Sequence, residues 1–495
     1  MMNNAIAGSL VKHPLAKAAL VLLLIRIATI FFMGIMPQDA YYSFYGENLA
    51  LSYFDHPPMI GWMLGLFTSL FGKNIYVVHS ADFIVTLATV IVFYKLAVRI
   101  LSKQKASNAL LLFYSTLLVS ILSIISTPDI PLLFFWSLSV LFAHKAITND
   151  KAYDWIFAGV FMGASFLSKY TAIFLPAGLF LFLLLAKEHR RKLISYRYIT
   201  LVFFFLLVLS PVVIWNVQND FVSFKFQSGS RFGEISLSNL SFVNVLGTAG
   251  HQLFVLVPVL FITLVFFLAK YLKKRLKSFA KISTNNLFLL SFFLPIFLFF
   301  FSISLLYWVK INWMMPGYIT GIIWASTYIT QKTINYQLVV SLILHILLFI
   351  MIAFYPVPIK SDDTWWGWQK LNAQVELQMQ KRPGYFLFAN DGYKTSAVLR
   401  FISKRKVYAG NLLAQPALQF SIVDKDAPQK LSGSNALFLD SKPRFVNEEN
   451  ENKTPELLLQ HFESVTELAP ILIRNNSGKV MRKFLLYECK KYHAE

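Results

Sequence analysis

The chain has 495 residues, of which 56% are hydrophobic and 14% charged. A soluble globular protein is nearer a quarter charged, so this composition excludes a water-soluble fold and marks an integral membrane protein. Lysine and arginine number 46 against 25 acids, a net charge of +21. Many of these bases sit in short links between apolar runs, where they orient a membrane protein and meet anionic lipid, so no nucleic-acid partner is expected.

Apolar runs recur at residues 15–36, 75–98, 106–126, 131–147, 153–168, 171–186, 199–215, 251–271, 285–306, 314–330 and 337–355. They predict a mostly α, polytopic protein with about eleven transmembrane helices. The first run is too long for the apolar region of a signal peptide and lacks a small-residue cleavage site before Asp39, so it reads as a retained first helix.

Basic residues fall on alternate connections. Lys12 and Lys17 lie at the start of the first run, and Arg99, Lys103 and Lys105 follow the second. Lys145 and Lys151 lie at the end of the fourth; Lys187, Arg190, Arg191, Lys192 and Arg197 follow the sixth. Lys270, Lys273, Lys274, Arg275, Lys277 and Lys281 lie at the end of the eighth and beyond it, and Lys332 follows the tenth. The positive-inside rule makes these connections cytoplasmic. The other connections, and everything after Tyr355, are then expected outside.

From Pro356 the apolar runs shorten and polar residues become common. Residues 365–381 read as an amphipathic helix near the bilayer surface, with Trp365, Trp366 and Trp368 as interfacial anchors. Strand-like runs follow at 385–389, 406–409, 436–440, 470–474 and 484–487, with helical patterns at 393–402 and 455–462. The expected organisation is a transmembrane domain over 1–355 and a small outer α/β domain over 356–495. There is no Walker loop, GxGxxG, zinc spacing or internal repeat. The single cysteine, Cys489, excludes an intrachain disulfide.

The expected outer connections gather the residues able to do chemistry. Residues 38–58, QDAYYSFYGENLALSYFDHPP, follow the first run and carry Asp39, Glu47, Asp55 and His56 among tyrosines. Asp39 either ends a helix as an interfacial charge or acts as a general base. Asp55-His56-Pro57-Pro58 is either a rigid turn capped by Asp55 ahead of the helix Met59–Phe71, or a place where His56 binds phosphate or orients a carboxylate. Asp129, in Thr127-Pro128-Asp129, either caps the following helix or belongs to the same site. Lys169 breaks the basic-inside pattern. It either snorkels to the interface or holds a phosphate at the membrane surface, and Lys310 in YWVKINWMMP invites the same two readings. The long connection 216–250 carries Asp220, Lys225, Arg231 and Glu234, of which Lys225 and Arg231 are candidates for holding phosphate. Arg26 and Asp82 lie inside the first two runs, at depths roughly 4–5 Å apart, and are expected to form an ion pair.

The segments QDAYYSFYGENLALSYFDHPPMIGWMLGLFTSLFG, STPDIPLLFFW, GVFMGASFLSKYTAIFLPAG and KINWMMPGYI resemble the protein-mannosyltransferase-like glycosyltransferases of the C-type superfamily. That group includes family 39 mannosyltransferases and the transferase that adds aminoarabinose to lipid A. PGYFLFANDGYKTSAVLRFI resembles the outer C-terminal domain of the bacterial branch. The resemblance implies an inverting enzyme in the bacterial inner membrane with its active site in the periplasm. It would move a sugar from a polyprenyl-phosphate donor to lipid A or another envelope glycolipid. The family's first-loop acid maps to Asp39, its second-loop acid to Asp129, its HPP element to His56-Pro57-Pro58, and its phosphate-side lysine to Lys169. Substrate contacts are expected from Tyr42, Asp55, His56, Lys169, Tyr170, Lys225, Arg231, Lys310 and Asn312. One departure is that the family has Asp-Glu in the first loop, whereas here Ala40 follows Asp39. That argues against a metal bound by an acidic pair there and leaves any divalent-cation requirement open. Two other readings stay open. One is a protein-mannosyltransferase-like enzyme with a protein acceptor. The other is a polytopic lipid transporter or flippase, which predicts inverted repeats and charges along the midplane.

Overall fold

A computed structural model describes residues 14–231, 235–236, 239–275, 282–359, 361, 363–440 and 455–494. Lys12, Glu234, Lys277, Lys281 and the side chain of Arg231 lie outside the described residues. The protein is mostly helical with one C-terminal sheet. Its residues form two compact units. One holds Met1–Phe31, His56–Met63 and His79–Phe349; the other holds Phe32–Asp55, Leu64–Val78 and Ile350–Glu495.

Among the described residues, five helices are long and apolar enough to cross a membrane: Ile75–Ile100, Asp129–Asn149, Tyr196–Gln218, Thr284–Ile303 and Gln331–Phe354. The number rises to seven if two sharply bent pairs each count as one span. The protein is therefore multi-pass, and length and composition account for five to seven of the eleven expected crossings. Several of the predicted runs break. Run 106–126 splits into Lys103–Tyr114 and Leu117–Leu122, because Thr116 adopts an extended backbone and its Oγ accepts the Val119 N–H at 3.5 Å. Run 251–271 bends by 116° between Phe242–Leu256 and Pro258–Arg275, where Pro258 has no N–H to continue the ladder. In run 314–330 the α-helix covers only Gly317–Ala325.

Arg26 is buried, and the break at Ser115-Thr116 supplies its partners. It donates to the Tyr114 carbonyl at 2.5 Å, the Thr116 carbonyl at 3.4 Å and Ser120 Oγ at 2.8 Å, and lies 4.2 Å over the Tyr114 ring. Asp82 accepts from Ser126 Oγ at 2.6 Å. The expected Arg26–Asp82 ion pair is thus replaced. A broken helix leaves carbonyls without helical donors, and a guanidinium inside a helical bundle satisfies them.

Two helices of the first unit approach closely through glycines. A methyl group at Gly159 of Ala152–Ser168 would come 2.3 Å from the Leu201 carbonyl oxygen of Tyr196–Gln218, and one at Gly163 would come 2.6 Å from the Val208 side chain. The pair is a GxxxG contact between apolar helices, in which small residues let backbones meet.

The sheet lies in the second unit. Its strands are β1 (Phe386–Ala389), β2 (Val407–Tyr408), β3 (Ala436–Asp440), β4 (Phe462–Arg474) and β5 (Val480–Tyr492), in the order β2-β1-β3-β5-β4. β1 runs parallel to β2 and β3, with Leu387 opposite Val407 and Phe388 opposite Phe438. β5 runs antiparallel to β3 and β4, so the short runs expected at 470–474 and 484–487 are parts of one long hairpin. The FLFA and ALFLD strands, both inside the sheet, are wholly buried. Helices Trp368–Gln380 and Lys394–Ser403 accompany them. The first buries Trp368, Leu371, Val375 and Met379 at helical spacing.

Candidate active site

The sequence-selected residues fall into two constellations, one in each unit. In the first unit, Asp129 opens the helix Asp129–Asn149, where the helix dipole favours a carboxylate. Lys169 closes the helix Ala152–Ser168 in an extended conformation, so its side chain leaves the helical stack. Its Nζ donates to both oxygens of Asp129, at 2.8 and 3.0 Å. Asn312 Nδ2 donates to Asp129 Oδ2 at 2.6 Å. Asp129 and Lys169 are 0% and 5% exposed. A buried ion pair with an amide on its remaining side meets the condition under which such charges are tolerated.

Lys169 also lines a cavity of about 370 Å³. His56, Tyr170, Thr171 and Gln227 are its other polar neighbours; Ile173, Phe174, Phe299, Phe300 and Trp313 form apolar walls. The short 3-10 turn Tyr170–Ile173 presents the first part of the wall. Tyr170 is fixed by a 2.7 Å hydrogen bond between its hydroxyl and Ser223 Oγ. Trp313 is held between Tyr307 and Phe300, with centroids 5.8 and 5.2 Å away. The cavity thus combines a cationic amine with a hydrocarbon-like lining. Asn312, expected to touch substrate, serves the Asp129 carboxylate. Lys225 and Lys310 are exposed and are not part of the cavity lining. Arg231 ends a π-turn, Phe226–Arg231. Gln227, Phe299, Phe300 and Trp313 were missed by sequence reasoning; of these, Trp313 stood inside the motif-like KINWMMP.

In the second unit, Asp39 sits in the first turn of the helix Pro37–Glu47, wholly buried, and accepts the Met36 N–H at 2.8 Å. Pro37 at the first position and a carboxylate at the third are strong helix starters. Asp39 therefore begins a new helix rather than ending the first. Tyr41 Oη donates to Asp55 Oδ1 at 2.7 Å, and Tyr45 Oη donates to the same oxygen. The Tyr45 and Tyr41 hydroxyls lie 3.2 Å apart, and Tyr53 donates to the Tyr45 carbonyl at 2.8 Å. Tyr42 is buried against the rings of Tyr41 and Tyr45. Asp55 is thus a buried acceptor for two phenols rather than a helix cap. Among the described residues, no three His, Cys, Asp or Glu side chains gather as a metal-binding group.

Residues 55–215 match the family described as dolichyl-phosphate-mannose-protein mannosyltransferase. The lipid A galacturonosyltransferase RgtD of Rhizobium johnstonii is 29% identical over 196 residues, which are 39% of this chain and 40% of that protein. The undecaprenyl phosphate-alpha-4-amino-4-deoxy-L-arabinose arabinosyl transferase of Pseudomonas aeruginosa is 29% identical over 154 residues, 30% of this chain and 28% of that protein. These matches span less than half the length of the curated relatives. The fold match is far longer. The crystal structure of ArnT from Cupriavidus metallidurans bound to undecaprenyl phosphate superposes with a TM-score of 0.64 at 13% identity, covering 95% of this chain and 97% of that one. Its apo form gives 0.62. The resemblance read from the loop segments is borne out: residues 55–215 carry the mannosyltransferase family match, and over nearly its whole length the chain shares the fold of ArnT.

Proposed function

We propose that the protein is an inverting glycosyltransferase that moves a sugar from a polyprenyl-phosphate donor, of the undecaprenyl-phosphate type, to lipid A or another envelope glycolipid. The observation that carries this reading is the Lys169 cavity. An amine beside aromatic and aliphatic walls suits an anionic head on a hydrocarbon chain. The names of the two relatives, a lipid A galacturonosyltransferase and an undecaprenyl-phosphate arabinosyl transferase, support the same donor and acceptor classes.

In this mechanism the acceptor oxygen loses its proton to Asp39 and attacks the anomeric carbon. The bond from that carbon to the donor phosphate breaks on the opposite side, giving inversion. The phosphate takes the electron pair and is stabilised by Lys169. Asp129, itself bonded by Asn312, fixes the position of the Lys169 amine. Residues 1–355 carry this chemistry in the bacterial inner membrane, and residues 356–495 form a periplasmic domain. The alternation of basic clusters along the chain supports that orientation.

Mass spectrometry of lipid A and envelope glycans from a strain lacking the gene tests the acceptor. Loss of one glycosyl increment from lipid A or another glycolipid is expected. Unchanged glycolipids with a missing protein glycan would overturn the glycolipid acceptor in favour of a protein hydroxyl.

A further inference from the structure

The loop that carries Asp39 and Asp55 is gripped by one residue far along the chain. Gln419 is 2% exposed and lies 365 positions from Phe54 and 378 from Tyr41. Its backbone N–H donates to Tyr41 Oη at 3.2 Å, and its side-chain Oε1 accepts the Phe54 N–H at 2.9 Å. Tyr41 passes its own proton towards Asp55 at 2.7 Å. Gln419 therefore touches both arms of the loop: the helix Pro37–Glu47, with Asp39 in its first turn, and the returning segment that ends on Asp55.

The backbone at this point is unusual. Leu418, just before Gln419, has φ 48° and ψ −125°. A leucine leaves the right-handed and extended regions only where its surroundings over-determine it, and such outliers gather where geometry matters. Its neighbours supply that constraint. Phe420 stacks on Phe44 at 4.5 Å with the rings 14° apart, and Tyr393 lies 4.2 Å from the Tyr41 ring. Arg400 covers the Phe44 ring at 4.6 Å. Burial of these rings fixes the helix against the domain, and Gln419 sets the register of the polar groups.

We infer that Gln419 is a positioning residue for the sugar-transfer reaction. It clasps Tyr41 and Phe54 so that the acid-bearing loop keeps one geometry, which makes the C-terminal domain a working part of the enzyme. The inference rests on the proposed transfer for its kinetic readout only; its structural readout stands alone.

The test uses the full-length protein in detergent with two variants, Gln419→Met and Tyr41→Phe. Methionine keeps the length of glutamine but offers no oxygen to Phe54. Phenylalanine removes both the acceptor for Gln419 and the donor to Asp55. In each, amide hydrogen exchange over 41–55 should quicken roughly tenfold, the scale of one lost buried hydrogen bond, while β1 and β3 keep their protection. In transfer assays with a polyprenyl-phosphate sugar, kcat should fall roughly tenfold with the donor KM unchanged. Wild-type exchange over 41–55 in both variants would overturn the clasp, as would quickening spread equally through β1 and β3. A loosened loop with wild-type kcat would overturn the positioning role. A wild-type protein that transfers no sugar would defeat the proposed function, and the exchange measurement alone would then decide the clasp.

Discussion

At the scale of residues, the Lys169–Asp129 pair is more sensitive to losing one member than to losing both. Both side chains are buried, and Asn312 can offer Asp129 a hydrogen bond but no charge. Lys169→Met leaves a carboxylate in a low-dielectric interior and should destabilise the protein by about 3–5 kcal/mol. Adding Asp129→Asn should recover most of that loss, because no uncompensated charge remains. Thermal unfolding of the purified variants in detergent checks both statements; a double variant as unstable as Lys169→Met would contradict them. The thiol of Cys489 offers a second check. Burial first, and the charge of Glu488 second, push it up to about 12. It stays protonated at pH 8, so maleimide should label the native protein roughly a thousandfold more slowly than the unfolded chain. Lys169 was legible because it is a lone base between two apolar runs, on a connection where the alternation of basic clusters expects none. Its partnership with Asp129 was not, because 40 residues separate them and no local period links the two.

At the scale of elements, the Gly159 and Gly163 contact decides how closely the helices Ala152–Ser168 and Tyr196–Gln218 approach. Gly159→Ala would force a methyl into the Leu201 carbonyl, and such overpacking typically costs about 1–3 kcal/mol. Gly250, in the helix Phe242–Leu256, is the matched control. No atom lies within 4 Å of the position its Cβ would take, so Gly250→Ala should be neutral or stabilise the helix by up to about 1 kcal/mol. Melting temperatures of the two variants, compared side by side, should move in opposite directions or only the first should move. The small C-terminal elements were legible as short apolar runs between polar stretches and as helical spacing: FLFA and ALFLD are strands, and residues 394–403 are a helix. The breaks inside apolar runs were harder to see. Hydropathy does not register that Thr116 caps a new helix or that Pro258 follows a sharp bend, so continuous runs read as continuous spans.

At the scale of the whole molecule, the chain order and the packing disagree in one informative place. Residues 38–58 follow the first apolar run directly, yet Phe32–Asp55 form one compact unit with Ile350–Glu495. Nothing in the spacing of residues announces that Gln419 and Phe420 will meet Tyr41, Phe54 and Phe44, since long-range contacts leave no periodic trace in sequence. What the loop did announce was its chemistry: an acid after an apolar run, a crowd of tyrosines and a stiff HPP turn. The central claim is that this acid is the base of a polyprenyl-phosphate-dependent sugar transfer. The most direct measurement is transfer by purified protein from a polyprenyl-phosphate sugar to lipid A, comparing wild type with Asp39→Asn. Asparagine keeps the shape but cannot take a proton, so the rate should fall by about 10²–10⁴-fold while the fold is retained. An Asp39→Asn protein that transfers sugar at close to the wild-type rate would contradict the assignment.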